Sequence, residues 1–376
     1  MTQIYFVRHA ESFGNLARRV YGWFDGRVTP RGFTQISALS KRFEDIKIDA
    51  VYSSDLIRAC ETARAIYAPK GLPLHREPAF REIGFGVWED CCWGELVDTH
   101  AAEYSAWVER PLDFKVDGSE TYADVYRRAK TALLKVISEN EGKSIAIVSH
   151  GAVLRMLMYG IVNSDSLNGV EAAEWGDNTS VSCFNFDGEK FIEVFKNSDD
   201  HLKALPGYDE GMSWVREGGG RNVFFTPAEF DRDIEKIHTY HKLASKEIFG
   251  DDMADMHEVD RRARRLLKKN PQNIVFAHLP EKEIGAIELD PSVRLYPKTG
   301  HVSFLYLAPE YRRMRYGIQL LGHAMSKYKK EGKVHISVRV AETNAAARSF
   351  YDKYGFYEVF RENDGGIIQR VMVLDI

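Results

Sequence analysis

Arg8 and His9 stand side by side directly after a short apolar run, Gln3–Val7. Arg58 follows a second such run, Asp49–Ser53, and His150 follows a third, Ser144–Ser149. If the three runs are neighbouring parallel strands, two arginines and two histidines meet at one sheet edge. Guanidinium forks match the oxygens of a phosphoryl group in pairs, so this spacing predicts a pocket for a phosphate ester. A second group lies far downstream. Arg312, Arg313 and Arg315 stand between an apolar run, His301–Leu307, and a helical segment, Pro309–Lys330. Free N–H groups at a helix start attract anions, and three arginines there suit a pyrophosphate.

The elements that would carry these residues fall into two sets. In the first, strand-like runs alternate with helical stretches such as Pro30–Phe43 and Asp55–Tyr67, and Val181–Phe195 reads as a closing hairpin turning at Asp187-Gly188. Short apolar runs bounded by polar turns suit buried parallel strands, and their alternation with helices predicts a three-layer α/β/α domain. Ligands of such sheets bind beyond the carboxyl ends of the strands, where Arg8, His9, Arg58 and His150 fall. The stretch Leu205–Arg221, with three consecutive glycines, reads as a linker. A second α+β pattern follows. Ala228–Phe249 and Ala254–Lys269 are helical, Asn273–His278 and Glu283–Leu289 form a hairpin, and Val334–Val340 and Asn344–Tyr354 are a strand and a helix before a last strand pair. The boundaries predicted are residues 1–205, a linker 206–221, and 222–376. The basic run Arg261–Lys269 reads as a solvated helix face.

The 376 residues fit two or three domains. With 44% apolar and 28% charged residues, the chain has the composition of a globular protein. No run approaches the ~20 apolar residues that span a bilayer, and the first residues lack a signal-peptide pattern, so a cytoplasmic location without a membrane partner is expected. Residues 206–376 hold 27 Lys/Arg against 25 Asp/Glu, and the rest 24 against 30, so neither part is basic enough to make nucleic acid the main partner. Cys60, Cys91, Cys92 and Cys183 have no CxxC spacing, which argues against a zinc site or disulfide framework.

Six segments in order carry a resemblance. They are VRHAES with Asn15, Tyr21–Gly32, Ser53–Ala63, Arg81–Glu89, Asp117–Thr121 and Val148–Gly151. Together they resemble the histidine phosphatase superfamily, the phosphoglycerate-mutase-like proteins. The resemblance implies that His9 becomes phosphohistidine, that Arg8, Arg58 and His150 hold the phosphate with Asn15 and Gly151 beside the substrate, and that Glu82 protonates the leaving group. It implies no metal. Two positions depart from the pattern: Ala10 and Asp90 stand where glycines are usual. Asp90 is expected to reshape the substrate mouth and add negative charge beside the acid.

The stretch His301–Met325 together with VAETNAAARSFYDKYGFYEV resembles the GNAT superfamily of acyl-CoA-dependent N-acetyltransferases. The resemblance implies acetyl-CoA as acyl donor. Arg312, Arg313, Arg315 and Gly317 would wrap its pyrophosphate, backbone groups of Leu305 and Leu307 would pair with the pantetheine, Asn344 would touch CoA, and Tyr351 would protonate the departing thiolate. Arg315 replaces a glycine of that pattern. Glu288 and His301 are the available guesses for a general base.

The reading is a bifunctional enzyme, acting on a small phosphorylated metabolite and a small amine. Only about 34 residues separate Glu82 from Asp117–Thr121, which resembles the short form of the small-molecule phosphatases of that superfamily and not the longer insertion of its cofactor-dependent mutases, so the resemblance implies hydrolysis over a mutase. The alternative for the second half is a non-catalytic acyl-CoA-binding module that regulates the phosphatase.

Overall fold

A computed structural model describes residues 1–205, 222–250 and 254–376. The predicted linker, 206–221, lies outside the described residues. The chain divides into two compact units, and each has its own sheet.

The first unit is built from β1 (Thr2–Arg8), α1 (Phe13–Leu16), α2 (Pro30–Arg42), β2 (Ala50–Ser53), α3 (Ile57–Tyr67), β3 (Leu74–Arg76), α4 (Trp93–Thr99), α5 (Ala101–Glu109), α6 (Tyr122–Glu139), β4 (Ser144–Ser149), α7 (Gly151–Val162), β5 (Val181–Phe186) and β6 (Phe191–Ser198). The sheet order is β3-β2-β4-β1-β5-β6. Strands β1 to β4 are mutually parallel, and β5 and β6 close the edge antiparallel. Tyr5 and Val7 of β1 and Ala146 and Val148 of β4 pack on Leu39 of α2 and Ala59, Ala63 and Ile66 of α3. The alternate residues Ile4, Phe6, Ile145 and Ile147 are equally buried and face the other side, as the two-residue period requires. There α7 lies against β1, and α6 against α7. The layering predicted from the sequence is the layering found.

The second unit contains β7 (Phe224–Pro227), α8 (Phe230–Phe249), α9 (Met256–Lys269), β8 (Ile274–Leu279), β9 (Lys282–Asp290), β10 (Thr299–Leu307), α10 (Tyr316–Lys330), β11 (His335–Ala341), α11 (Ala345–Lys353), β12 (Tyr357–Asp364) and β13 (Ile367–Asp375). Its sheet order is β12-β13-β11-β10-β9-β8-β7. Every neighbouring pair is antiparallel except β10 and β11. Those two run parallel from Thr299↔His335 only to Val302↔Val338, and beyond that point β10 pairs with β9 alone. The break coincides with a bulge between Val302 and Phe304, a device that bends a strand away from its partner.

Two boundaries differ from the sequence reading. The helix expected from Asp55 begins at Ile57, whose N–H is held by the Asp25 carboxylate at 3.0 Å, so Arg58 is its second residue and not a turn inside. The helix expected from Pro309 is a short 3₁₀ turn, Pro309–Tyr311, followed by α10 only from Tyr316. Arg313 and Arg315 take left-handed φ values of 62° and 63°, which breaks the helix between them. Strands β3 and β7 are too short to give a pattern.

Candidate functional site

Register puts the first site together. Arg8 pairs with Ser149 on adjacent parallel strands, so His9 and His150 are the next residues out, level with each other. Their rings lie 5.1 Å apart between centroids. The His9 Nδ1 lies 2.7 Å from the Ala10 carbonyl. A carbonyl only accepts, so Nδ1 carries the proton and Nε2 keeps its lone pair. Burial pushes the His9 imidazole well below its usual value, and Arg58 and Arg8 push it further. His150 is shifted the same way by burial, Arg58 and His9, and is fully buried. Both rings are therefore neutral at pH 7.

Arg58 reaches this spot from the first turn of α3, with 1% of its surface exposed. It donates to the carbonyls of Phe24, Tyr21 and Gly22 at 3.1, 3.3 and 2.7 Å. Arg8 donates from Nη1 to the Gly176 carbonyl at 2.5 Å. Four buried polar atoms have no partner here: Nε of Arg8, Nε of Arg58, and both ring nitrogens of His150. Buried polar groups are nearly always bonded, so a cluster of orphans marks a place for an absent ligand. Asp25 Oδ1 lies 3.8 Å from Arg58 Nη1 and leaves these four atoms unbonded, and cationic and imidazole groups converging in this way suit an oxyanion.

Glu82 is brought in by a loop, not a strand. The Ser149 hydroxyl donates to the Phe80 carbonyl at 2.8 Å, and Arg128 holds the carbonyls of Ala79, Arg81 and Glu82 at 2.7, 2.8 and 2.9 Å. The Glu82 carboxylate accepts the N–H groups of Ala152 and Val153 at 3.1 and 3.2 Å, in the first turn of α7. Burial raises its carboxyl above the usual range, while those backbone donors and the two arginines pull the other way. Gly151 opens the same helix. A Cβ there would meet Arg8 Cζ and Trp175 Cζ3, each at 3.3 Å, so the glycine keeps room for the guanidinium.

Asn15 sits in the third residue of α1. Its Oδ1 takes the Ser12 N–H and hydroxyl at 3.1 and 3.0 Å in a capping box, which leaves its N–H₂ as the group able to serve a ligand. Ala10 is not among the residues at positive φ, so its methyl meets no backbone strain. Asp90 corrects an expectation. It is fully buried at φ 60°, and Arg19 Nε bonds its carboxylate at 2.9 Å. Its charge is neutralised inside the fold and is not presented beside the acid.

In the second unit, no side chain caps the first turn of α10, so its amides stay open to an anion. Arg315 is the residue before that turn, and Arg313 lies two before it. Arg312 is committed elsewhere: Nε donates to the Leu307 carbonyl at 2.8 Å and Nη2 pairs with Glu247 at 2.7 Å. Leu305 and Leu307 lie on the part of β10 that has left β11. A Cβ on Gly317 would meet Phe350 at 3.0 Å, so this glycine serves packing against α11. Asn344 caps α11, its side chain accepting from Ala347 N–H at 3.0 Å. Tyr351 is buried between the rings of Phe350 and Phe356, and burial alone raises its hydroxyl well above the usual value. Open amides, unpaired strand edge and flanking arginines fit an acyl-CoA.

The model of the histidine phosphatase superfamily (branch 1) matches residues 4–199, more than half of the chain. The chain belongs to that superfamily. Residues 235–356 match the model of the acetyltransferase (GNAT) family, so the second sheet is a GNAT-type domain. Among similar proteins, phosphoserine phosphatase 1 of Hydrogenobacter thermophilus is 29% identical over 54% of this chain and 95% of its own. Phosphoglycerate mutase-like protein 4 of Arabidopsis thaliana is 30% identical over 58% of this chain and 94% of its own. The solved structure of YhfR from Bacillus stearothermophilus superposes with a TM-score of 0.52 at 28% identity, covering 54% of this chain and all of that one.

Within the histidine phosphatase domain, four supporting residues escaped the sequence reading. The Thr62 hydroxyl accepts the Ala10 N–H at 2.8 Å and donates to the Arg58 carbonyl at 2.7 Å, tying two site segments together. Asn178 donates to the His9 carbonyl at 2.8 Å. Arg128 holds the Glu82 loop, and Glu89 accepts the N–H groups of Gly22, Trp23, Phe24 and Phe85 at 3.2, 2.8, 2.8 and 2.9 Å. Glu89 and Thr62 had a signal, their places in the Arg81–Glu89 and Ser53–Ala63 segments.

Within the GNAT-type domain, the basic run is less solvated than expected. Arg262 and Arg265 turn inward to Glu288 and Asp290, at 3.1 and 2.5 Å. Both guesses for a general base are thereby weakened. Glu288 has one oxygen on His241 at 2.7 Å and the other on Arg262, and these partners hold its carboxyl below the usual range although burial alone would raise it. His301 is buried against the Ser337 hydroxyl at 3.0 Å, and burial lowers it to about 4. Among the described residues no group of His, Cys, Asp and Glu could hold a metal ion, and no helix is long and apolar enough to cross a membrane.

Proposed function

We propose that the first domain hydrolyses a small phosphomonoester through a phosphohistidine on His9. The observation that carries this is the set of four unpartnered polar atoms on Arg8, Arg58 and His150, three of them donors when His150 is neutral, beside a histidine whose Nε2 lone pair is free. His9 Nε2 forms a bond to phosphorus as the ester oxygen leaves, and Glu82 supplies the proton that oxygen needs. The cations and His150 stabilise the equatorial oxygens as charge spreads. Glu82, now a carboxylate, then takes a proton from the water that attacks the phosphohistidine. The elevated carboxyl of Glu82 supports its first role, and the lowered imidazole of His9 supports attack at neutral pH. The relative named phosphoserine phosphatase makes phosphoserine the first ester to try.

For the second domain the reading is acetyl transfer from acetyl-CoA to an amine. The amides opening α10, with Arg313 and Arg315, would hold the pyrophosphate. Tyr351 would hold the proton that the thiolate needs. The family match and the parting of β10 from β11 support this.

The deciding experiment concerns His9. The full chain should hydrolyse 4-nitrophenyl phosphate with EDTA present, and quenching in alkaline detergent with phosphoserine labelled on phosphorus should trap label on the protein, stable to base and lost in acid as a phosphohistidine is. His9→Ala should abolish both. Activity in the variant, or loss to the chelator, would refute the mechanism.

A further inference from the structure

Around Glu288 the GNAT-type domain gathers a trio of charged or chargeable side chains. His241 of α8 bonds Glu288 of β9 through Nε2, and Arg262 of α9 bonds the other oxygen of Glu288. A carboxylate only accepts, so Nε2 carries a proton toward Glu288, with Arg262 Nη2 also 3.4 Å from it, and in the neutral ring Nδ1 holds the lone pair. Glu288 is 2% exposed, and burying such a trio costs desolvation that an apolar core would avoid. His241 also stacks on Phe304 at 3.9 Å between centroids.

Position gives the trio its meaning. If the pyrophosphate lies beyond the end of β10, at Arg313–Gly317, the donor runs back along Leu307 and Leu305. Its thioester end then stops at Ser303 and Phe304. There β10 bulges and has left β11, and there the Ser303 hydroxyl is buried without a partner. His241 covers Phe304 at that point.

We propose that His241, oriented by Glu288, is the group that deprotonates the acceptor amine. The assignment rests on the acetyltransferase reading. His241 Nδ1 takes one proton from the ammonium, and the freed nitrogen pair forms the C–N bond as the C–S bond breaks. The thiolate takes the Tyr351 proton, and the second nitrogen proton returns to Tyr351 by solvent. The sum is one amide, one thiol and one proton released from His241. Arg262 fixes Glu288 and touches no substrate.

The test uses the full chain with two acceptors: a primary alkyl amine, screened from amino acids and polyamines, and O-methylhydroxylamine, which is uncharged at pH 7. General-base catalysis is worth about 10²–10⁴-fold, so His241→Asn should slow transfer to the alkyl amine by at least about 100-fold. The loss with O-methylhydroxylamine should stay within about fivefold, because no ammonium proton has to leave. Acetyl-CoA affinity, read by calorimetry, should be unchanged. Equal losses with both acceptors, weakened acetyl-CoA binding, or full activity would overturn the assignment alone. A wild-type chain that acetylates neither acceptor would overturn the acetyltransferase reading and this assignment with it. Should His241→Asn unfold, Glu288→Gln must show the same selective loss, and its absence there also overturns the assignment.

Discussion

Arg58 hangs on the carbonyls of Tyr21, Gly22 and Phe24, and Glu89 clamps the amides of the same loop at Gly22, Trp23 and Phe24. A single peptide turn is thus gripped on one side by a carboxylate and on the other by a guanidinium. Without the carboxylate, three N–H groups of the turn would lose their acceptor, and the carbonyls that fix Arg58 would shift.

Glu89→Gln should therefore disturb the phosphate pocket from outside it. An amide cannot accept four N–H groups, and one of its own ends donates. The expected loss in kcat/KM for 4-nitrophenyl phosphate is about 10–100-fold, or ~1.4–2.7 kcal/mol of transition-state stabilisation. The far-ultraviolet circular dichroism should be unchanged. Arg58→Lys should add little further loss on top of it, since both changes act on one contact. Fully additive losses would mean that Glu89 acts on stability alone.

Glu82 makes a prediction about leaving groups and pH together. Its carboxyl sits above the usual range because of burial, so it stays protonated to a higher pH than an exposed glutamate. An alkyl ester such as phosphoserine needs that proton, and its rate should fall as pH rises through the raised value. 4-Nitrophenyl phosphate leaves without help, and its rate should be flat over the same window. Acid loss, from protonation of His9, should begin only well below pH 6.5, since that imidazole is depressed. Glu82→Gln should cost the alkyl ester about 10²–10⁴-fold and the aryl ester much less. Parallel pH profiles for the two esters would count against Glu82 as the acid.

The site was legible in the sequence where strand ends carried it. Arg8, His9 and His150 lie within one residue of a strand terminus, and a parallel sheet aligns such termini by register alone. Glu82 lies on a loop held by Arg128, which is 46 residues away in the chain. No local pattern encodes that contact, and only the resemblance to a family singled Glu82 out. Asn178 was invisible for the same reason, one amide meeting a distant backbone group, and Thr62, although inside the Ser53–Ala63 segment, gave no local sign of its bond to Ala10.

Charge was the least legible property. Asp90 read as a free negative group, yet Arg19 stands 71 residues away in sequence and meets it in the core. The run at Arg261–Lys269 read as solvated, yet two of its arginines answer Glu288 and Asp290 on β9. A helix pattern shows which face is charged, but not that a buried carboxylate waits under one edge of it.

Arg315 offers a way to separate backbone from side chain. It stands where the family pattern has glycine, and its φ of 63° is the conformation glycine adopts without cost. For an arginine that conformation costs about 1–2 kcal/mol. Arg315→Gly should relieve it and raise the Tm of the GNAT-type domain by about 2–8 °C, at ~2–4 °C per kcal/mol for a domain of this size. Arg315→Ala keeps the strained backbone and should show no such gain in Tm. If the guanidinium contributes a charge-assisted bond to the pyrophosphate, worth about 1.5–3 kcal/mol, both variants should bind acetyl-CoA at least tenfold more weakly in calorimetry. A Gly variant that is both more stable and equally tight would show that the open amides of α10 suffice. A loss shared by Gly and Ala would show that this arginine trades local stability for affinity.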